Sequence, residues 1–125
     1  MSQVRVYKQT EGSTSTAQTS GMHRTEFVTQ PDTWVGTVRS DPGAVSGWHH
    51  HGDYDSYICL TSGGMKIEHG PGGRHAVEGR PGDVIHVPKH TIHRESTVGD
   101  EHAEAFLIRV GSGDPVFNVD GPEAG

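Results

Sequence analysis

An all-β domain, built as a sandwich or a barrel, is the fold class this sequence predicts, on three observations. The 125 residues include 18 Gly and 7 Pro, spaced at short intervals through the middle of the chain, which is the punctuation of strands and turns. The segments between them are of strand length. No window keeps apolar residues at three- and four-residue spacing over ten or more positions, so no amphipathic helix is expected. Eight or nine short strands in a chain of one domain's length must bury one sheet face against another.

Taken in order, residues 1–21 are expected to be a flexible N-terminal arm, because 10–21 is polar, low in complexity and without period. Residues 22–125 are expected to form one domain. Strands are predicted at Thr33–Ser40 (TWVGTVRS), 44–51, Asp55–Ser62 (DSYICLTS) and 65–69 (MKIEH). Ser62, Gly63 and Gly64 read as a hairpin turn, and GPGG at 70–73 as the next. RHAVEG follows, with a turn at Arg80, Pro81 and Gly82. The last strands are predicted at 83–88 (DVIHVP), in a short segment from Ile92, at 102–110 (HAEAFLIRV) and at 116–119 (VFNV).

Charge and composition narrow the function. Ten Lys+Arg against 16 Asp+Glu leave a formal charge of −6, and basic residues do not cluster, which argues against a nucleic-acid partner. The longest apolar stretches, YICL and AFLI, fall far short of the ~20 residues of a membrane helix. The opening MSQVRVYK has no apolar core of a secretion signal and Cys59 is the only cysteine, so a cytoplasmic location is expected. Cys59 reads as a small core residue rather than a nucleophile.

The ten histidines carry the strongest signal. In GWHHHGDYDSYICLTSGG, residues two apart share a strand face, so His49 and His51 project together while His50 points away with Trp48. Two imidazoles on one face are half a metal site. Trp48 and His50 are then candidates for packing between sheets or across the interface of an expected homodimer. In GDVIHVPKHTIH, His86 and His90 read as structural, and His93 as the candidate third ligand.

These residues resemble the cupins, small jelly-roll β-barrels that often hold a metal inside. The first cupin motif maps onto Gly43, His49, His51, the usual Glu position at Ser56, and Gly63; the second maps onto Gly82, Pro88, His90 in place of Gly, His93, and Thr97 in place of Asn. The resemblance implies a cupin-type jelly-roll barrel with a divalent transition metal on His49, His51 and His93. Fe(II) is favoured, with Ni, Cu, Zn or Mn as alternatives.

Ser56 in place of the usual Glu implies three neutral imidazoles with no anionic ligand, leaving the metal at its full +2 charge with two or three open positions. Asp53 and Asp55 are the alternatives for a carboxylate ligand. The resemblance implies a non-haem dioxygenase acting on a small metal-chelating substrate, with a non-catalytic binding protein or a zinc-type hydrolase or lyase as alternatives. Tyr57, Asp55, Glu104 and His86 are the candidates for acid-base work.

Overall fold

The computed structural model of the chain describes residues 3–14 and 20–123. Ten strands run through them: β1 (Met22–Gln30), β2 (Thr33–Ser40), β3 (His49–His50), β4 (Asp55–Ser62), β5 (Gly64–His69), β6 (His75–Gly79), β7 (Val84–Val87), β8 (His93–Val98), β9 (Ala103–Val110) and β10 (Phe117–Asn118). They form two five-stranded sheets, ordered β1-β2-β9-β4-β7 and β10-β3-β8-β5-β6, and every pairing is antiparallel. This is the all-β jelly-roll expected from the residues. No helix among the described residues is long and apolar enough to cross a membrane.

Period-two alternation decides which side chains meet inside. In β2, Trp34, Val38 and Ser40 are buried; in β4, Ser56, Ile58 and Leu60; in β9, Ala103, Ala105, Leu107 and Arg109. Met65 and Ile67 on β5 face them from the second sheet, and Ile85 and Val87 on β7 extend the first. The register lines these residues up in rungs: Val38 and Leu60 flank Ala105, and Ile58 lies beside Leu107. One rung further, Trp34 and Ser56 flank Arg109. The interior of the first sheet thus changes from apolar to polar along its length.

Three differences from the sequence-based expectation have physical causes. Strand β1 was not foreseen, because MHRTEFVTQ is mostly polar; it is an edge strand, with a register shift between Glu26 and Val28, and β2 is its single partner in the sheet. The Ser62–Gly64 turn is not a hairpin: β4 and β5 lie in different sheets, and the chain crosses between them there. In the expected arm, Gln9–Glu11 forms a 3-10 turn and Ser13 exchanges backbone hydrogen bonds with Glu26 at 2.9 and 2.7 Å. Residues 15–19 of that arm lie outside the described residues.

Two glycines are required by geometry. At Gly36 a Cβ would run into the Trp34 ring and the Thr25 carbonyl, so glycine lets the indole lie flat over its own strand. Gly63, at the crossover, has φ +69°, and a Cβ there would meet the His102 carbonyl. Gly63→Ala is expected to destabilise the fold by about 1–3 kcal/mol, read as a lower denaturant midpoint at unchanged slope. An unchanged midpoint would mean that the crossover relaxes without cost.

Candidate metal centre

Strands β3 and β8 of the second sheet place the histidines. His49 and His93 are direct cross-strand partners, and His51, two residues beyond His49, projects to the same side. The ring centroids are 4.9 Å apart for His49 and His51, 4.3 Å for His49 and His93, and 5.1 Å for His51 and His93. All three are buried.

Their orientation is fixed from behind. Nδ1 of His49 lies 2.9 Å from the Gly47 carbonyl, Nδ1 of His51 2.8 Å from that of Pro115, and Nδ1 of His93 2.9 Å from that of Thr91. A carbonyl oxygen only accepts, so each Nδ1 carries the proton and donates it. In the neutral ring each Nε2 is then left with a free lone pair. This is the arrangement by which backbone carbonyls select the ligating nitrogen of a metal-binding histidine.

The fourth member is Glu95, two residues along β8 from His93 and on the same buried face. Its Oε1 lies 3.2 Å from Nε2 of His93 and 3.7 Å from Nε2 of His49. One ligand atom from each of His49, His51, His93 and Glu95 falls within 4.8 Å of all the others, and the four could hold a metal ion. The expectation of a centre without a carboxylate is therefore corrected. The Glu position of the first motif is indeed Ser56, but a carboxylate arrives from β8 instead. The signal was present as His93-Arg94-Glu95, by the same two-residue rule that paired His49 with His51.

Charge follows from burial. Burial works to raise the Glu95 carboxyl, but hydrogen bonding to His49 and His93 overrules it and holds the group well below the usual carboxylate range. Burial lowers the His51 imidazole to about 3, helped by the charges of Arg109 and His93. A lone pair on His93 Nε2 facing a carboxylate oxygen at 3.2 Å is repulsive unless a positive charge, a proton or a metal cation, lies between them. The donor set thus fits a divalent cation: three imidazole nitrogens and one anionic oxygen, turned toward one another in a buried site.

The other candidates lie elsewhere. Asp53 pairs with His90 at 2.8 Å on the surface, and Asp55 with His86 at 2.9 Å, so neither joins the buried group. The hydrogen bond from His86 lowers the Asp55 carboxyl. Tyr57 stacks on His86 with centroids 4.7 Å apart, and Glu104 lies 3.6 Å from Arg39. Tyr57, Asp55, Glu104 and His86 alternate with the buried residues of their strands. They therefore occupy the outer face of the first sheet, away from the histidine cluster. Cys59 shares that face and is half-buried rather than part of the core. His50 stacks on Phe117 at 4.9 Å, and Trp48 lies beneath the Arg94 guanidinium at 4.6 Å, both on the outer side of the second sheet.

Sequence reasoning also missed what faces the cluster from the first sheet. Arg24 on β1 and Arg109 on β9 are both buried, and with Ser56, His51 and Glu95 they line a cavity that has room for about one water molecule. Alternation along HAEAFLIRV puts Arg109 in register with Ala105 and Leu107. That pattern could have placed it on the inner face.

The fold is thus a two-sheet β-barrel whose interior carries three histidines and a carboxylate that could hold a metal ion. The cupin domain family model matches residues 36–109 of the chain, and the chain belongs to that family. No curated protein sequence matches it. Among solved structures, the polyketide cyclase RemF from Streptomyces resistomycificus is similar at a TM-score of 0.76 and 17% identity, covering 94% of this chain and 86% of that one. An uncharacterized conserved protein with a double-stranded β-helix domain from Klebsiella pneumoniae is similar at 0.73 and 16%, covering 93% and 92%. KdgF from Halomonas sp. is similar at 0.66 and 22%, covering 86% and 94%. At these identities the likeness concerns the fold.

Proposed function

We propose that the protein is a metal-dependent enzyme, a non-haem dioxygenase acting on a small organic substrate that chelates the metal. The observation that carries the reading is the set of three imidazoles, each with Nδ1–H held by a backbone carbonyl, that offer one ligand atom each within 4.8 Å of one another and of a Glu95 carboxylate oxygen. His49, His51, His93 and Glu95 would hold the metal, and Fe(II) suits such a mixed nitrogen and oxygen set, as do Ni, Cu, Zn and Mn. When bound, a redox-active divalent ion supplies dioxygen activation and polarisation of a substrate oxygen.

The chain's own residues do the rest. Glu95 offsets half of a divalent charge, leaving a net +1 where three imidazoles alone would leave +2. The Ser56 hydroxyl is buried without a hydrogen-bond partner and is placed to hold a water or a substrate oxygen. The apolar core below, from Leu107, Ile58 and Met65, closes one side of the cavity to bulk water.

A binding protein without turnover is the competing reading. It is favoured by the lining of the cavity, where Glu95 and His51 are the acid-base groups besides the arginines, and both belong to the metal cluster. Metal analysis of tag-free protein, followed by an oxygen-uptake screen against small enols, diketones and thiols, separates the two. One equivalent of metal with iron-dependent uptake supports the enzyme. One equivalent with no uptake supports the binder, and no metal overturns the enzyme and leaves the binder as a small-ligand barrel alone.

The ligand assignment makes a further prediction. Replacing His49, His51 or His93 by Ala is expected to abolish stoichiometric metal binding. The same change at His50, His86 or His90, which face outward, leaves it intact. Equal loss at His50 would show that the inward face has been misassigned.

A further inference from the structure

The cluster faces a second polar feature that metal ligation does not use. Trp34, Arg109 and Ser56 form one rung across β2, β9 and β4. Arg109 is 5% exposed, yet its Nε has no hydrogen-bond partner, and neither has the neighbouring Ser56 Oγ. The guanidinium lies over the Trp34 ring, 5.2 Å from its centroid, and the Trp34 indole N–H is held 2.8 Å from Glu26 Oε2. Burial, together with the charge of Arg24, lowers Arg109 to about 10, so it remains a cation at neutral pH.

A buried cation with unused donors is costly unless an anion completes it. Arg109 lines both the small cavity at the cluster and a cleft of ≈ 370 Å³ bounded by Trp34, Tyr54, Glu26, Thr29, Gln30 and Pro115, in which the Glu26 carboxylate already accepts the Trp34 indole N–H. The Pro115 carbonyl of that cleft is the one that holds His51. The cleft therefore leads from solvent to the wall of the metal cluster, with Arg109 at the junction.

We infer that this cleft binds small planar organic acids, the carboxylate pairing with the Arg109 guanidinium and the organic part lying against Tyr54 and the edge of the Trp34 indole. Guanidinium matches carboxylate geometrically through two parallel N–H donors, and aromatic walls suit a flat body. The inference names the substrate class of the metal site proposed above. It rests on that reading for the use of the bound acid, whereas the binding itself requires only Arg109 and the cleft.

The test uses benzoate as the probe and benzamide as its uncharged counterpart, titrated calorimetrically into EDTA-treated and Zn²⁺-loaded protein. Benzoate is expected to bind at least about tenfold more tightly than benzamide in both forms. Arg109→Gln should lose at least about tenfold of benzoate affinity while keeping its metal content, and Arg109→Lys should recover part of the loss. Equal binding of benzoate and benzamide by the unaltered protein would overturn the inference, as would no binding of benzoate. A folded Arg109→Gln that binds benzoate normally would overturn it as well. The comparison of the two probes needs no variant, so it stands if Arg109→Gln fails to fold. Should the protein take up no Zn²⁺ yet still prefer benzoate, the metal reading falls and the acid-binding cleft survives.

Discussion

Glu95→Gln is expected to lower affinity for a divalent cation by about 100-fold or more, with little change in the fold. Glutamine has the same shape and length, so packing around the cluster is kept, and what is removed is one negative charge from a site screened poorly by water. Altering a group that merely orients a ligand typically costs 10–100-fold in metal affinity, and a carboxylate that itself binds the ion should cost at least the upper end of that range. Competition against a chromophoric chelator measures the change. Glu68→Gln is the control, since that carboxylate is engaged by Arg94 at 2.9 and 3.0 Å outside the cluster. A loss under about threefold in Glu95→Gln would return the centre to three imidazoles, as the first cupin motif with Ser56 implies.

That motif shows how much of this protein is legible before folding. His49, His51 and His93 were readable because each obeys a local rule, two-residue projection or fixed motif spacing, and β3 and β8 bring them together as direct partners. The strand from Thr33 to Ser40 and the one from Asp55 to Ser62 were readable to the residue, since apolar alternation and flanking turn residues agree there. What was not readable depends on which sheet a strand joins. The Ser62–Gly64 turn has hairpin chemistry but serves a crossover, and no local pattern distinguishes the two. Glu95 and Arg109 sat in legible alternations. They were passed over because a charged residue in a strand is ordinarily solvent-facing. Strand β1 buries only Met22 and Arg24, so its inner face carries one apolar residue and one charge and shows no apolar alternation.

Protein freed of metal is expected to lose stability steadily as the pH falls from about 6.5, well before its carboxylates titrate. The cause is His51. Its imidazole is 4% exposed and is lowered from 6.5 to about 3, chiefly by burial and then by the charges of Arg109 on β9 and His93 on β8, against the opposing pull of the Pro115 carbonyl and Glu95. The sign follows from proton binding: below 6.5 the unfolded chain protonates this histidine and the folded chain does not, so acid favours unfolding. Stability from this group is complete above about 6.5 and is lost progressively toward 3. One extra proton on the unfolded chain gives a slope of up to about 1.4 kcal/mol per pH unit. The carboxyls held low in the fold, Glu95, Glu68, Asp41 and Asp55, have ordinary values of 4.5 for the glutamates and 3.8 for the aspartates and so act below that window. Between pH 6 and 5 the slope therefore reports chiefly on buried imidazole. Urea unfolding of EDTA-treated protein at several pH values measures it, and His51→Asn should flatten it by close to one proton. A flat profile from pH 6.5 to 5 in the unaltered protein would mean that His51 takes up its proton within the fold, and that the site opens to water when no metal holds it.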